Sequence, residues 1–196
     1  MAVSTKKITR KEQIQAKATS LFREKGYNAS SMRLLAENMG MEAASLYNHI
    51  SSKDELLREI CFSVAGSFIK QLDELEKTTL SDTAKVEQII RFHIRMMVGQ
   101  FERMYVSNRD WKYLKEPHLS AYLTQRRNYE KRFSAIIEQG IANGHFGKRS
   151  THITVLTILS AVRGIEFWHK SKKNVTAQQL EDDLTGMLMA GIVSGQ

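Results

Sequence analysis

Apolar side chains recur along this chain three and four residues apart, and short polar or glycine-containing breaks interrupt them; the rhythm predicts helices throughout. Ile14, Ala18, Leu21 and Phe22 mark a helix over about 8–25, preceded by a basic arm from Lys6 to Arg10 and ended by Gly26-Tyr27-Asn28. Leu35, Ala36 and Met39 make a short second stripe after the capping hydroxyls Ser30-Ser31, and Gly40 supplies the positive φ that stops it. Leu46 and Ile50, four apart, anchor a third, equally short helix. Ser52 then caps a long helix from Lys53 into the seventies, carrying Leu56, Leu57, Ile60, Val64, Phe68, Leu72 and Leu75 behind an acidic first turn. A fifth is predicted from Ser81 or Asp82, its stripe running Val86, Ile89, Ile90, His93, Met97, Phe101. Residues 108–117 are least regular and hold the only proline. Leu123, Tyr129, Phe133, Ile136, Ile137 and Ile141 define a helix from about Leu119 to Asn143-Gly144, and two more are predicted over about 151–170 and 177–193, separated by Ser171-Lys172-Lys173-Asn174.

The last two helices are apolar on more than one face. A helix apolar nearly all round near a chain end packs against something besides its own domain, so Ile158, Val162, Ile165, Leu180, Leu184, Met187 and Leu188 are assigned to a homodimer interface. One proline and 11 glycines in 196 residues support an all-α fold. The lone Cys61 excludes an internal disulfide, no apolar run follows the basic start as in a signal peptide, and none approaches the roughly 18 residues of a membrane span. A cytoplasmic protein is expected. The net charge of +8 suggests a polyanionic partner without locating it, because residues 1–60 hold 10 Lys/Arg against 7 Asp/Glu.

Residues 30–53 locate it. Ala43, Ala44 and Ser45 carry little to pack, and Tyr47, Asn48 and His49 follow on the same short element. Small residues at a helix N-terminus, with hydrogen-bonding side chains beyond, describe a recognition helix entering a DNA major groove. Glu42 at its entrance is either a first-turn charge or an acceptor for a cytosine amino group.

Residues 8–60 as a whole resemble the N-terminal domain of TetR-type (tetracycline-repressor-like) transcriptional regulators: Ile14…Ala18…Leu21-Phe22…Lys25-Gly26-Tyr27, then Ser31-Met32-Arg33…Ala36…Gly40-Met41…Ser45-Leu46-Tyr47-Asn48-His49-Ile50…Ser52-Lys53-Asp54-Glu55-Leu56. The resemblance implies a three-helix helix-turn-helix DNA-binding domain over 1–52 (motif about 31–50) and a larger C-terminal helical bundle over 53–196 for ligand binding and dimerisation. It further implies a homodimer reading a double-stranded DNA operator with two-fold-related half-sites. Carried over, Ala43, Ala44 and Ser45 approach base edges, while Ser31, Arg33, Tyr47, His49 and Lys53 contact phosphates. Further on, Tyr129-Glu130-Lys131-Arg132-Phe133…Ile137…Gly140-Ile141…Gly144-His145-Phe146 and Arg163-Gly164-Ile165-Glu166-Phe167-Trp168-His169 are similar to a C-terminal subclass that often answers to acyl-CoA thioesters.

No catalytic, metal or cofactor pattern competes. The only Glu-x-x-His pair is Glu166…His169, where a di-iron bundle needs two such pairs; no phosphate-cradling loop, zinc spacing or nucleophile elbow occurs. Cys61, among Ile60, Phe62 and Val64, is buried and inert or else a redox sensor. Met97, Phe101, Met104, Trp111, Tyr122, Tyr129 and Phe133 are either core or the wall of an adaptable apolar pocket, and Arg109, Arg126 and Arg127 either hold an acidic group or phosphate at its mouth or are solvated surface. Two readings therefore stand: a ligand-responsive, non-catalytic DNA-binding repressor, and an all-helical enzyme or binding protein whose N-terminal hairpin is incidental.

Overall fold

The computed structural model describes residues 8–171 and 175–193, with the side chains of Lys170 and Ser171 left aside. Lys6 and Lys7 of the basic arm, and the Lys172-Lys173-Asn174 break, lie outside the described residues. Ten α-helices follow in order: α1 (Arg10–Lys25), α2 (Met32–Asn38), α3 (Ala43–Tyr47), α4 (Lys53–Glu76), α5 (Asp82–Gly99), α6 (Phe101–Asp110), α7 (His118–Ala142), α8 (Thr151–Arg163), α9 (Ile165–Ser171) and α10 (Ala177–Ala190). Among the described residues the only β feature is an isolated bridge between Phe146 and Val193.

Hydroxyl caps start most of these helices. Thr9, Ser31, Ser52, Ser81, Ser150 and Thr176 each accept a backbone N–H from the first turn, and Thr9 and Thr176 complete reciprocal boxes with Glu12 and Gln179. At the end of α2, Gly40 takes φ 62°, and the Gly40 and Met41 N–H groups donate back to Glu37 and Ala36 at 3.1 Å. This doubly bonded stop, which needs a residue without a Cβ strain penalty, sets the angle between α2 and α3.

Two expected helices are each broken. The stripe from Val86 to Phe101 divides at Gln100, whose φ of −125° ends α5 before α6 begins. The helix expected over 151–170 divides at Gly164, where α8 gives way to α9. In both, the apolar spacing runs on across the break, so periodicity alone cannot reveal it.

Packing is organised around two apolar clusters. The first joins α1–α3 through Ile14, Phe22, Leu35, Leu46 and Ile50 to Leu56, Leu57, Ile60 and Cys61 of α4. The second gathers Val64, Phe68, Leu72 and Leu75 of the same helix with α5–α10. Each such fully buried apolar side chain contributes about 1.5–3 kcal/mol. Val106, Leu114 and Tyr122 also join the first cluster, so packing does not divide at residue 52: α4 is built into both halves.

At the far end, Phe146 packs so tightly on α7 that a Cβ at Gly140 would lie 2.2 Å from its ring. Gly147 N–H donates to the Ile192 carbonyl at 3.1 Å beside the Phe146–Val193 bridge, tying the last described residues to the α7–α8 turn.

Candidate nucleic-acid interface and effector cavity

A five-residue helix such as α3 has no independent stability. Leu46 and Ile50 hold it, fully buried in the first cluster. Outward of those anchors Ala44, Ser45, Tyr47, Asn48 and His49 are exposed, and Ala43 is half-buried. Glu42 caps α3 with its backbone only, its exposed side chain making no cap bond. Ser31 lies at the adjacent start of α2; its oxygen accepts from Leu34 N–H at 3.1 Å and leaves its own proton available. Arg33, highly exposed one turn on, bonds Glu37 at 3.0 Å. Arg10 of α1 reaches the Met41 sulfur at 3.5 Å and adds a cation beside the α2–α3 turn; its place in the basic arm was the only sequence signal for it.

Lys53 is not the outward cation expected. Its ammonium donates to the Tyr27 and Ser30 carbonyls at 2.9 and 3.0 Å and sits 4.2 Å from the centre of the Tyr27 ring. Beside it, the Tyr27 hydroxyl donates to Asp54, whose other oxygen pairs with Lys115. Lys115 and the Tyr27 bond hold the Asp54 carboxyl below its usual range, while burial first and then Asp54 raise the Tyr27 hydroxyl. Tyr27 also stacks on Tyr113 with centroids 5.3 Å apart. Lys53 is thus one member of a staple between α1–α2, the start of α4 and the segment before α7.

Between α4, α5, α6, α7 and α8 lies a cavity of about 100 Å³. Met97, Met104, Tyr122, Arg126 and Tyr129 line it, as expected. Arg109, bonded to the Tyr105 hydroxyl, and Arg127, bonded to Thr124, do not, and neither do three aromatics. Phe101 stacks on His169, centroids 3.9 Å apart; Trp111 packs on the first cluster with the Arg126 guanidinium 5.5 Å above its ring; Phe133 is wholly interior to the second cluster. The sequence reading missed Phe68, His93, Asn108, Gln125 and Arg163 on the lining. His93 Nε2 lies 2.7 Å from the Tyr129 hydroxyl, both buried, and burial drives the imidazole pKa down to about 3, so it is neutral. Cys61 nearby is inert: burial pushes its thiol up to about 12. His169 of the lone Glu-x-x-His pair donates Nε2–H to the Met97 carbonyl at 2.9 Å.

The assigned dimer residues divide. Ile158, Val162 and Ile165 are buried within their own protomer and are removed from the candidate face. Leu180, Leu184 and Leu188 are half-buried against the core, and Met187 is 72% exposed. The outward apolar face of the C-terminal helices is instead completed by Ile153, Leu156 and Phe167, each more than half exposed at 61%, 56% and 67%.

A short helix presented by two buried anchors after a tight turn, on a long helix shared with a helical body that encloses a cavity, is the architecture of a helix-turn-helix regulator. The family described as tetracyclin repressor-like, C-terminal domain, matches residues 79–192, and that of bacterial regulatory proteins, tetR family, matches residues 14–60. The chain belongs to the TetR family, and it is a DNA-binding transcriptional regulator. It is 24% identical over 197 residues to the HTH-type transcriptional repressor KstR2 of Mycolicibacterium smegmatis, spanning 96% of this chain and 93% of that protein. It shares the fold of the ketosteroid transcriptional regulator KstR2 of Mycobacterium tuberculosis, with a TM-score of 0.89 at 18% identity over 99% of this chain and 100% of that one. AibR in complex with isovaleryl coenzyme A and operator DNA gives 0.81 at 22% identity, over 92% and 98%.

Proposed function

We propose that this chain acts in the cytoplasm, without catalysis, as a homodimeric repressor that leaves a two-fold operator when an acyl-CoA thioester enters its cavity. The outward face of α3 reads the major groove: Ala43, Ala44 and Ser45 let it approach base edges, Asn48 hydrogen-bonds there, and Ser31, Arg33, Tyr47 and His49 grip phosphates. Ile153, Leu156, Phe167 and Met187, with the flanking leucines of α10, meet their two-fold copies. The observation that carries the effector reading is the cavity itself, walled largely by apolar and aromatic side chains, with Arg126, Arg163 and Glu130 among its more exposed lining residues. That pattern suits a hydrocarbon acyl group attached to a polyanion. AibR, which shares the fold, was crystallised with isovaleryl coenzyme A and operator DNA together.

Release follows from α4. A ligand pressing on Phe68 moves the helix whose first turns pack under α1–α3. Ser20 and Arg23 of α1, bonded to Glu102 of α6 at 2.5 and 3.0 Å, form a second link. Half-sites lie about one helical turn or a multiple apart, so a shift of a few ångströms spoils simultaneous docking. A preference of about 3 kcal/mol for the non-binding spacing lowers operator affinity roughly a hundredfold.

The test is a titration of labelled DNA, taken from the region flanking the coding sequence and bound by the protein, with an acyl-CoA and with the matching free acid. Release by the thioester alone is expected. Release by neither leaves the regulator intact and removes the acyl-CoA assignment.

A further inference from the structure

The cavity has two unlike walls. Val64, Phe68, Leu159 and Val162 of α4 and α8 face it with hydrocarbon, Arg163 standing at the end of α8, whereas α5, α6 and α7 add His93, Ser107, Asn108, Gln125 and Tyr129 beside Met97 and Met104. These differ in exposure. Arg126, Gln125 and Asn108 are partly exposed; Gln125 Oε1 is buried without a hydrogen-bond partner among the described residues, and Asn108 Nδ2 meets only the Met97 sulfur at 3.8 Å. His93 and Tyr129 are both buried, as are Ser107 and Tyr122, whose hydroxyl oxygens lie 3.0 Å apart.

The His93–Tyr129 pair is costly in a site for plain hydrocarbon. Phenylalanine at 129 and leucine at 93 would fill similar space with no polar atom to desolvate. The pair is also fixed in place: Phe68 stacks on the His93 ring at 4.2 Å with 21° between planes and meets the Tyr129 ring edge-on at 5.8 Å. His93 engages only part of the Tyr129 hydroxyl's capacity of one donor and two acceptors. When the hydroxyl donates to His93, its oxygen accepts from a ligand; when the Nε2–H tautomer donates to it, its proton is offered to a ligand oxygen. On an acyl chain, the group able to take up this free capacity is an oxygen, a hydroxyl or a keto group. The cavity is smaller than the roughly 150 Å³ void that holds benzene, so the matching chain is short.

We propose that the effector's acyl group carries an oxygen substituent, a hydroxyl or keto group, that hydrogen-bonds the buried Tyr129–His93 pair on the cavity wall. This rests on the acyl-thioester reading and narrows it from acyl chains in general to short oxygenated ones. Tyr129 keeps His93 as a partner without ligand, so the discrimination is about tenfold, below the 10⁴ or more of a site left wholly unpaired.

Calorimetric titration with butyryl, 3-hydroxybutyryl and acetoacetyl groups, each as the CoA and the N-acetylcysteamine thioester, tests it. The better oxygenated acyl group should bind about tenfold tighter than butyryl. Tyr129→Phe should bring that ratio to about one while leaving butyryl affinity nearly unchanged. Butyryl binding as tightly in the unaltered protein overturns the proposal, whether or not the variant folds, and so does a preference that survives Tyr129→Phe. An oxygen preference with no gain from CoA over the phosphate-free thioester keeps the proposal and removes the acyl-CoA reading. Binding by none of the six removes both.

Discussion

Two surfaces of this molecule are equally open to water and made of opposite materials. The outward side of α3 shows Ala44, Ser45, Tyr47, Asn48 and His49; the outward side of α8–α10 shows Ile153, Leu156, Phe167 and Met187. Both stand on helices anchored from beneath, by Leu46 and Ile50 in one case and by Val155, Ile158 and Met189 in the other. The first is suited to a partner that is hydrated and must be released, since hydroxyls and an imidazole exchange water for phosphate at little net cost. The second loses free energy while it stays wet, so it suits a permanent covering by a second copy. Reversible and permanent association are thus written in side-chain chemistry on similar helical scaffolds.

The largest effect should come from spoiling the permanent face. Leu156→Asp combined with Met187→Asp places unpaired charge where two protomers would meet. Sedimentation should give monomers, and operator affinity should drop by about a hundredfold or more as two-site engagement is lost. A stable dimer that still binds operator would move the interface elsewhere.

Lys53 sharpens the other side of the contrast, because it is held inward. Lys53→Met should lower thermal stability by about 2 kcal/mol, from two charge-assisted bonds to carbonyls, and leave the salt dependence of DNA binding unchanged. Tyr47→Ala should do the reverse: operator binding weakens by about 1–2 kcal/mol whatever the operator sequence, and stability stays within about 0.5 kcal/mol.

Acidification acts beneath both faces. His93 titrates near 3 in the folded protein and near 6.5 unfolded. The unfolded chain therefore binds the extra proton in this window, and stability falls as pH is lowered through it, by up to about 1.4 kcal/mol per unit. Glu181, held below its usual range mainly by Arg95, adds a loss only under about pH 4.5. Denaturant midpoints between pH 6.5 and 5 should decline less steeply in His93→Leu. The smallest effect is electrostatic: Arg33→Ala should reduce the salt slope of operator binding by about one unit.

Much of this architecture was legible because the signals are local. Ser31, Ser52 and Ser81 mark helix starts in sequence and cap them in the structure; Gly40 marks the turn and takes its positive φ. Three things were not legible, each for a physical reason. The breaks at Gln100 and Gly164 carry the apolar spacing straight through, from Met97 to Phe101 and from Val162 to Ile165. On α8 the buried stripe Val155-Ile158-Val162 and the exposed pair Ile153-Leu156 have the same helical spacing, so hydrophobicity could not say which faces inward. Lys53 matched the family's phosphate contact by position, but whether an ammonium finds water or carbonyls depends on the α1–α2 turn folding over it. The cavity was half visible: its methionines and tyrosines were identified, whereas His93 read as one more member of a core stripe.

The sharing of α4 between the two clusters also bears on how such regulators can be recombined. Cutting at residue 52 would strip Leu35, Leu46 and Ile50 of the partners supplied by Leu56, Leu57, Ile60, Val106, Leu114 and Tyr122. The excised reading head would be a sticky, half-packed fragment, and a chimera joined there would need a foreign α4 shaped to fit both neighbours. A graft that keeps the head intact has to carry the chain through α4 and on to Tyr122, and with that it imports half of the donor's effector chamber. In this chain, the DNA-reading helices and part of the cavity wall travel together.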